Sequence, residues 1–385
     1  MDKLWDIVIV GGGLGGLSLA AELAAPEFAS LSVLVLEKRS QYVRDRTWSY
    51  WADTPHRYSY LERHQWSQWS VSLGETMHSQ SSKRTSYASL DADAFYKAAV
   101  QAISQSSHVS LRMESGVANV ALHNPAETLV RLEQGNTLRA RRVFDARPLQ
   151  QLEPSALVQQ FTGWELRTEC DVFNPNQVKL MAFEPHPRGL HFWYVLPYST
   201  RCALVESTWV SPLNWQPDYE AELRQYVAKL CDGNAYSVSY REHGVLSLQH
   251  AHTPITATIG LGRRGGTLRP ATGYAFIDTV RHAAQLAETL HTALRTGTDA
   301  EWQPKAFQRA ATEHWMDAVF LDVLTSNWQR APHYFMQLFS RATADDTVAF
   351  LTGQASWQQR LRIMRSLPTM PFASAALSRA VGKRV

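Results

Sequence analysis

Asp6-Ile7-Val8-Ile9-Val10-Gly11-Gly12-Gly13-Leu14-Gly15-Gly16 decides the fold, because an apolar run passes directly into a glycine-rich turn. Asp6 to Val10 reads as a short strand of the kind buried in a parallel sheet, where both faces are covered and polar alternation is lost. Leu17 to Leu23 carry helical periodicity, and Val33 to Leu36 form a second apolar strand ending in Glu37, 21 residues after Gly16. Strand, G-x-G-x-x-G, helix, strand and acid, in that order, make a dinucleotide-binding unit. Gly11 permits the tight turn, Gly13 lets backbone approach a pyrophosphate, and Gly16 lets helix and strand pack closely. The helix N-terminus offers N–H groups and partial positive charge to phosphates. Glu37 can accept hydrogen bonds from ribose hydroxyls and would repel a 2′-phosphate, which disfavours NADP at this position.

A second glycine-rich segment separates FAD from NAD. Ile259-Gly260-Leu261-Gly262 ends another apolar stretch, Gly265 to Tyr274 follow, and Ala275 to Leu290 read as a helix. A late strand–loop–helix of this kind faces the flavin and pyrophosphate in many FAD enzymes, whereas NAD dehydrogenases keep a contiguous nucleotide domain. The stretch between is rich in strand patterns: Leu111 to Val120, Thr128 to Leu132, Arg142 to Asp145, His191 to Leu196 and Cys202 to Trp209. The expected fold is therefore α/β: a Rossmann-like FAD-binding domain with an interleaved mixed β-sheet substrate domain, as in hydroxylase-like flavoproteins, and a helical C-terminal region. The expected boundaries are 1–150 and 256–300 for FAD, 151–255 for the β-rich substrate domain, and 301–385 for the helices.

Composition narrows the field. A net charge of +3 on 385 residues, with no basic run suited to phosphates, argues against nucleic acid. Cys170, Cys202 and Cys231 form no C-x-x-C pair, so neither a disulfide framework nor structural zinc is expected, and His residues such as His250 and His252 lack metal-ligand spacing. The first strand begins within about five residues of the start, which leaves no room for a secretory leader, and no stretch reaches the ~20 apolar residues of a membrane span. A cytoplasmic protein is expected, soluble or lying on the inner membrane face. No G-x-S-x-G elbow supports a hydrolase.

Eight short segments, in order, resemble the bacterial lycopene β-cyclases. They are Arg46 to Tyr50, Val143 to Arg147, Phe161-Thr162-Gly163-Trp164-Glu165, Tyr194 to Pro197, Ala203-Leu204-Val205-Glu206-Ser207-Thr208, Arg241-Glu242-His243-Gly244-Val245-Leu246, Arg269 to Tyr274, and Arg362 to Pro371. Arg46 stands where the family has His, Ser207 where it has Asp, Ser247 where it has Pro, and Pro148 where Gly is common.

The resemblance implies a redox-neutral isomerisation of lycopene. An acid protonates a terminal double bond, the cation closes a six-membered ring, and a base removes a proton to leave a β-ring, giving γ-carotene and then β-carotene. Reduced FAD is required but not consumed, and NAD(P)H is the implied outside reductant. On the resemblance, Glu206 is the acid. Period-two alternation puts it on one strand face with Leu204 and Thr208, and an apolar pocket there would raise its pKa. Gly11, Gly13, Gly16, Glu37, Arg46, Asp145 and Gly273 are the cofactor candidates. Asp145 also reads as a strand-end cap, and Glu165 as a second pocket carboxylate or a solvated strand residue. Trp48, Trp51, Phe192, Trp193 and Tyr194 are candidates to line a polyene tunnel. Phe320, Leu321, Leu324, Trp328, Tyr334, Phe335 and Phe339, with Arg379, Lys383 and Arg384, are candidates for contact with a membrane surface. The competing expectations are an FAD monooxygenase or prenyl reductase on an apolar substrate, and a non-catalytic flavin-binding partner in a carotenoid assembly. Oligomeric state is not legible.

Overall fold

In the computed structural model, which describes residues 3–148, 152–249 and 257–382, the opening apolar run is β1 (Leu4–Val10). It is paired in parallel on both sides, to β2 (Val33–Leu36) and to β11 (Thr137–Asp145). β8 (Val109–Arg112) continues the sheet beyond β2, and β17 (Ile259–Gly260) lies parallel to β11. β9 (Val117–Asn124) and β10 (Glu127–Leu132) add an antiparallel meander. Leu111 to Val120, expected as one strand, is two, because the chain turns at Glu114 with φ 53°. Ile7, Ile9, Val33 and Val35 pack under helices α1 (Leu14–Leu23), α2 (Ala92–Ser104) and α4 (Phe276–Thr296). Val8, Val10, Leu34 and Leu36 point the other way, onto Val117, Val130 and Leu132. Both faces of the strands are covered, which is why their sequence is apolar throughout.

The second sheet runs β16 (Tyr236–Ser247), β12 (Leu157–Thr168), β15 (Cys202–Pro212), β14 (Gly189–Ser199), β13 (Gln177–His186), β5 (Gln68–Leu73), β6 (Thr76–Ser81). Its last two strands come from inside residues 1–150, so the expected boundary at 150 does not follow the strand pairing. A small third sheet, β3 (Thr47–Ala52), β7 (Ser86–Asp91) and β4 (His64–Trp66), lies beside it in the chain path. Helix α3 (Tyr219–Cys231) packs Leu223 and Val227 on one face of the large sheet, against Trp164, Leu166 and Val205. The other face meets α5 (Ala311–Ser326), α6 (Ala331–Arg341), α7 (Ala344–Leu351), α8 (Trp357–Ser366) and α9 (Thr369–Ala380). One buried ion pair ties this helical region to the late glycine segment: Arg269 binds Asp317 of α5 at 2.9 Å and donates to the Phe350 carbonyl. No helix among the described residues is long and apolar enough to cross a membrane.

Close approach of α1 to β1 depends on Gly16, where a Cβ would stand 1.9 Å from the Gly11 carbonyl oxygen. Backbone cannot yield as a flexible side chain can. Gly16→Ala is expected to lose about 2–3 kcal/mol of stability, measured as a lower urea midpoint with an unchanged slope.

Candidate active site

A cavity of about 970 Å³ begins at the glycine turn and ends among the C-terminal helices. At its first end Gly11 adopts φ +97°, and the space beyond Gly13 is open, with no atom within 4 Å of where a Cβ would stand. Among the described residues no side chain caps the start of α1, which leaves its N–H groups to an anion. Glu37, Arg46 and Gly273 also line this arm. Burial would raise the Glu37 pKa, but hydrogen bonds from Arg39 and from the Gly12 N–H hold it below the ordinary value. Arg46 is half-exposed and paired with Asp45 at 2.9 Å. Gly273 has φ +71°, and a Cβ there would meet the Gln159 amide at 2.5 Å. These features fit a dinucleotide. Asp145 is different: it is buried, lies behind the cavity wall, and its carboxylate is held by Arg147 at 2.7 Å and by the Arg147 N–H at 3.0 Å. Arg147 lines the cavity, so the expected cofactor contact at Asp145 becomes support for Arg147.

The second arm is apolar, with Leu180, Met181, Phe192, Leu246, Phe320, Phe335 and Phe339 among its walls. Glu206 opens into it from β15. In the sheet Glu206 stands opposite Gly163 of β12, and Gly163 stands opposite Glu242 of β16. A Cβ on Gly163 would come within 2.8 Å of Glu206 Cγ and 3.2 Å of Glu242 Cγ. The missing side chain is therefore the space in which the two carboxyls meet over the middle strand.

Burial, reinforced by the Glu242 charge, pushes the Glu206 pKa well above the carboxylate range. Burial also raises Glu242, against hydrogen bonds from Glu206, Tyr240 and Thr47 that lower it. Glu242 Oε2 accepts from Thr47 Oγ1 and Tyr240 OH, both at 3.0 Å, while Oε1 has no hydroxyl or N–H donor among the described residues. A protonated Glu206 supplies that donor. Two carboxylates in an apolar wall cannot both ionise near neutrality, so the pair retains a proton.

Glu242 was not singled out from sequence, although its segment was, because the strand register that brings it over Gly163 is not written in the sequence. Glu165 is neither of the two things expected of it. It is buried, clamped by Arg44 at 2.8 Å and Arg63 at 2.7 Å. Burial alone would raise its pKa; the two guanidiniums bring it to about 2.

Alternation sorts the aromatic candidates. Phe192 and Tyr194 face the cavity, as does Trp48. Trp193 faces α3, stacked on Tyr226 at 3.9 Å, and Trp51 is buried against Trp69 and Tyr87. Tyr194, in register with Glu206, reaches Tyr87 OH at 2.8 Å, and Tyr274 OH reaches the same oxygen at 3.3 Å. Ser207 lies on the back face, where it donates to Glu222 of α3 at 2.6 Å. The Asp-to-Ser departure thus falls away from Glu206, beside a carboxylate supplied by the helix. His250 and His252 lie outside the described residues.

The fold is the architecture of the FAD-dependent hydroxylases, halogenases and reductases. A geranylgeranyl bacteriochlorophyll reductase-like protein from Thermoplasma acidophilum superposes with TM-score 0.62 at 15% identity, covering 97% of this chain and 99% of the other. The p-nitrophenol 4-monooxygenase PnpA from Pseudomonas putida gives TM-score 0.60 at 14% identity over 99% and 98%. A mutant of the halogenase PltM in complex with FAD gives 0.60 at 14% over 99% and 93%. Within that architecture residues 6–377 match the lycopene cyclase protein family, and the chain belongs to it. A lycopene beta-cyclase from Paracoccus sp. is 26% identical over 389 aligned positions, which span 96% of each chain.

The Glu165 clamp has a measurable signature. A carboxyl whose folded pKa lies below its unfolded value adds stability that is full above the unfolded pKa and fades as pH falls through the folded one. From a folded value of about 2, the contribution is roughly 3 kcal/mol, lost between about pH 4.5 and 2. Glu165→Gln should lower stability at pH 7 by that order and flatten the acid limb in urea titrations at stepped pH.

Proposed function

We propose that this protein is a lycopene β-cyclase in which Glu206 is the proton donor and Glu242 the carboxyl that shares and stabilises its proton. The observation that carries the reading is the buried pair across Gly163, with Glu206 lining the cavity. The other arm would hold FAD through the Gly11–Gly16 turn, Glu37, Arg46 and Gly273. When bound, reduced FAD would supply negative charge that favours a cation, and NAD(P)H would be its outside reductant.

An alkene is a very weak base, so a carboxylic acid can protonate it only where the resulting cation is stabilised. Glu206 gives its proton to the terminal double bond of lycopene, leaving a tertiary cation. The neighbouring internal double bond attacks that cation and closes the six-membered ring, and the positive charge moves onto the ring. Loss of one ring proton forms the β-ring double bond. One proton enters and one leaves, no electrons are exchanged, and the product is an isomer of the substrate.

The chain contributes three things. Tyr194 and Phe192 present aromatic faces to a cation, and burial keeps the Tyr194 phenol neutral. The apolar walls exclude water that would trap the cation as an alcohol. After donation, Glu206 and Glu242 are adjacent anions, which stabilise the cation beside them and, through their mutual repulsion, favour recovery of the ring proton. Because lycopene resides in bilayers, the protein is read as working at a membrane surface.

The first test is carotenoid chromatography of lycopene-accumulating bacterial cells that express the chain. γ-Carotene or β-carotene is expected, and Glu206→Gln should reduce it by about 10³-fold while flavin stays bound. Persistent lycopene with bound flavin in the wild type would overturn the reaction and favour a monooxygenase or reductase.

Activity requires protonated Glu206, so it should persist below the raised pKa and fall on the alkaline side. The Glu242 charge helps raise that pKa. Glu242→Gln should therefore shift the alkaline limb of kcat/KM to lower pH by about one unit. An unshifted limb would remove Glu242 from the proton-sharing role.

A further inference from the structure

The apolar anchors expected at a membrane face turn inward. Phe320, Leu321, Leu324, Phe335 and Phe339 line the cavity, and Tyr334 is buried in the core beneath the helices. Of the basic tail, Lys383 and Arg384 lie outside the described residues, and Arg379 is ion-paired with Asp322.

Other apolar side chains face out. On α8 they are Trp357, 62% exposed, Leu361, 49%, and Met364, 42%. On and just after α9 they are Met370, 80%, Leu377, 66%, and Val381, 71%. Spacings of i, i+4, i+7 and of i, i+7, i+11 put each set on one helix face. Single exposed apolar residues are ordinary, but two consecutive helices with outward apolar stripes mark a contact surface. The inward faces are committed elsewhere, with Ile363 and Ala375 buried in one core cluster.

Charge selects the partner. From Thr347 to Val385 there is no Asp or Glu and there are six Lys or Arg, whereas the whole chain carries only +3. Arg360 and Arg362 pair with Glu313 and Asp346, which, with the Arg379 pair, anchors the helices to α5 and α7. Arg365 is exposed, whereas Arg360, over the Trp357 ring at 5.3 Å, is held by Glu313. Aromatic and cationic side chains together suit the headgroup level of a bilayer. Phe372 on the inner side of α9 packs on Phe320 and Tyr334, and Phe320 lines the apolar arm. The outward stripe is thus one helix away from that arm.

We propose that the outward faces of α8 and α9 are the surface by which this protein lies on an anionic phospholipid bilayer. The surface takes its purpose from the carotenoid reading above, but its test is separate. Purified flavin-loaded protein is floated with phosphatidylcholine vesicles, with and without phosphatidylglycerol, beside a variant carrying Trp357→Glu, Leu361→Glu, Met370→Glu and Leu377→Glu. All four sites are exposed, and unchanged circular dichroism and flavin content would show that the variant folds.

The wild type should float with the anionic vesicles, and binding should drop about tenfold or more in the variant and in high salt. With lycopene in detergent micelles the variant should keep its turnover; with lycopene in vesicles it should lose it. Failure of the wild type to float, or equal flotation of the variant, overturns the proposal. So does a wild-type dimer by light scattering that the variant converts to monomer without any flotation, which would assign the surface to a second copy. Flotation as expected with no cyclisation of either lycopene preparation would leave the surface standing and remove the proposed reaction.

Discussion

A side chain that is absent brings two buried acids of this protein together. Neighbouring strands in a sheet are about 4.8 Å apart, so residues two strands apart do not normally touch. Glu206 and Glu242 do, because Gly163 on the strand between them offers nothing to keep them apart. Once together in an apolar wall they cannot both carry charge, and a proton is held at a place reached from the cavity only through Glu206. The same two strands solve the converse problem one register step away. Phe161 of β12 stands opposite Gly244 of β16, and a Cβ there would meet the Phe161 ring at 2.4 Å. Glycine faces carboxyl and glycine faces phenyl. The spacing of Phe161 and Gly163, and of Glu242 and Gly244, follows from that diagonal fit.

Among the surrounding charges Arg44, which lies over the Tyr240 ring, pulls the Glu242 pKa down, while burial and Glu242 itself push that of Glu206 up. Arg44 and Arg63, the guanidiniums that flank this region, are committed to Glu165 and Asp91. Two cations and two anions make a balanced cluster, and Arg44 rests its guanidinium on the Tyr240 ring at 3.7 Å. An arginine delivered directly to Glu206 would have held it ionised, as Glu165 is held. Glu165 and Glu206 are thus two carboxyls of one sheet driven in opposite directions, one by partnership with cations and one by burial beside another acid. Such separation is how a fold assigns structural and acidic roles to the same residue type.

The parts legible in the sequence were those fixed by local geometry. β1, its glycines, α1, β2 and Glu37 form a continuous unit whose spacing states its use, and β17 with α4 repeats the logic late in the chain. Glu206 came from the family resemblance of its segment, and strand alternation put it on one face with Leu204 and Thr208. What stayed hidden depends on long-range pairing. Nothing near Gln68–Ser81 says that these strands complete a sheet more than a hundred residues away. Glu242 needed the β12–β16 register, and Asp145 needed knowledge that Arg147 curls back onto it. The C-terminal anchors failed for a related reason. Helical periodicity shows that Phe320 and Phe335 share apolar faces, but not whether those faces meet a membrane or a cavity.

The fold is shared with a reductase-like protein, a monooxygenase and a halogenase at identities near 15%, so the fold alone does not set a reaction. Distinction has to lie in the second arm, where substrate would meet protein. A flavin that exchanges electrons with a substrate needs position and access above all. A cation-forming isomerisation also needs a held proton, aromatic faces and dryness. The second arm of this cavity has the three together: the carboxyl pair over Gly163, the faces of Phe192 and Tyr194, and walls of Leu, Met and Phe. On the proposed reading, a proton donor added to a flavoprotein fold is, in physical terms, a small change to a common scaffold. On that reading it requires two acids, one glycine between them, and the flanking arginines bound to other carboxylates.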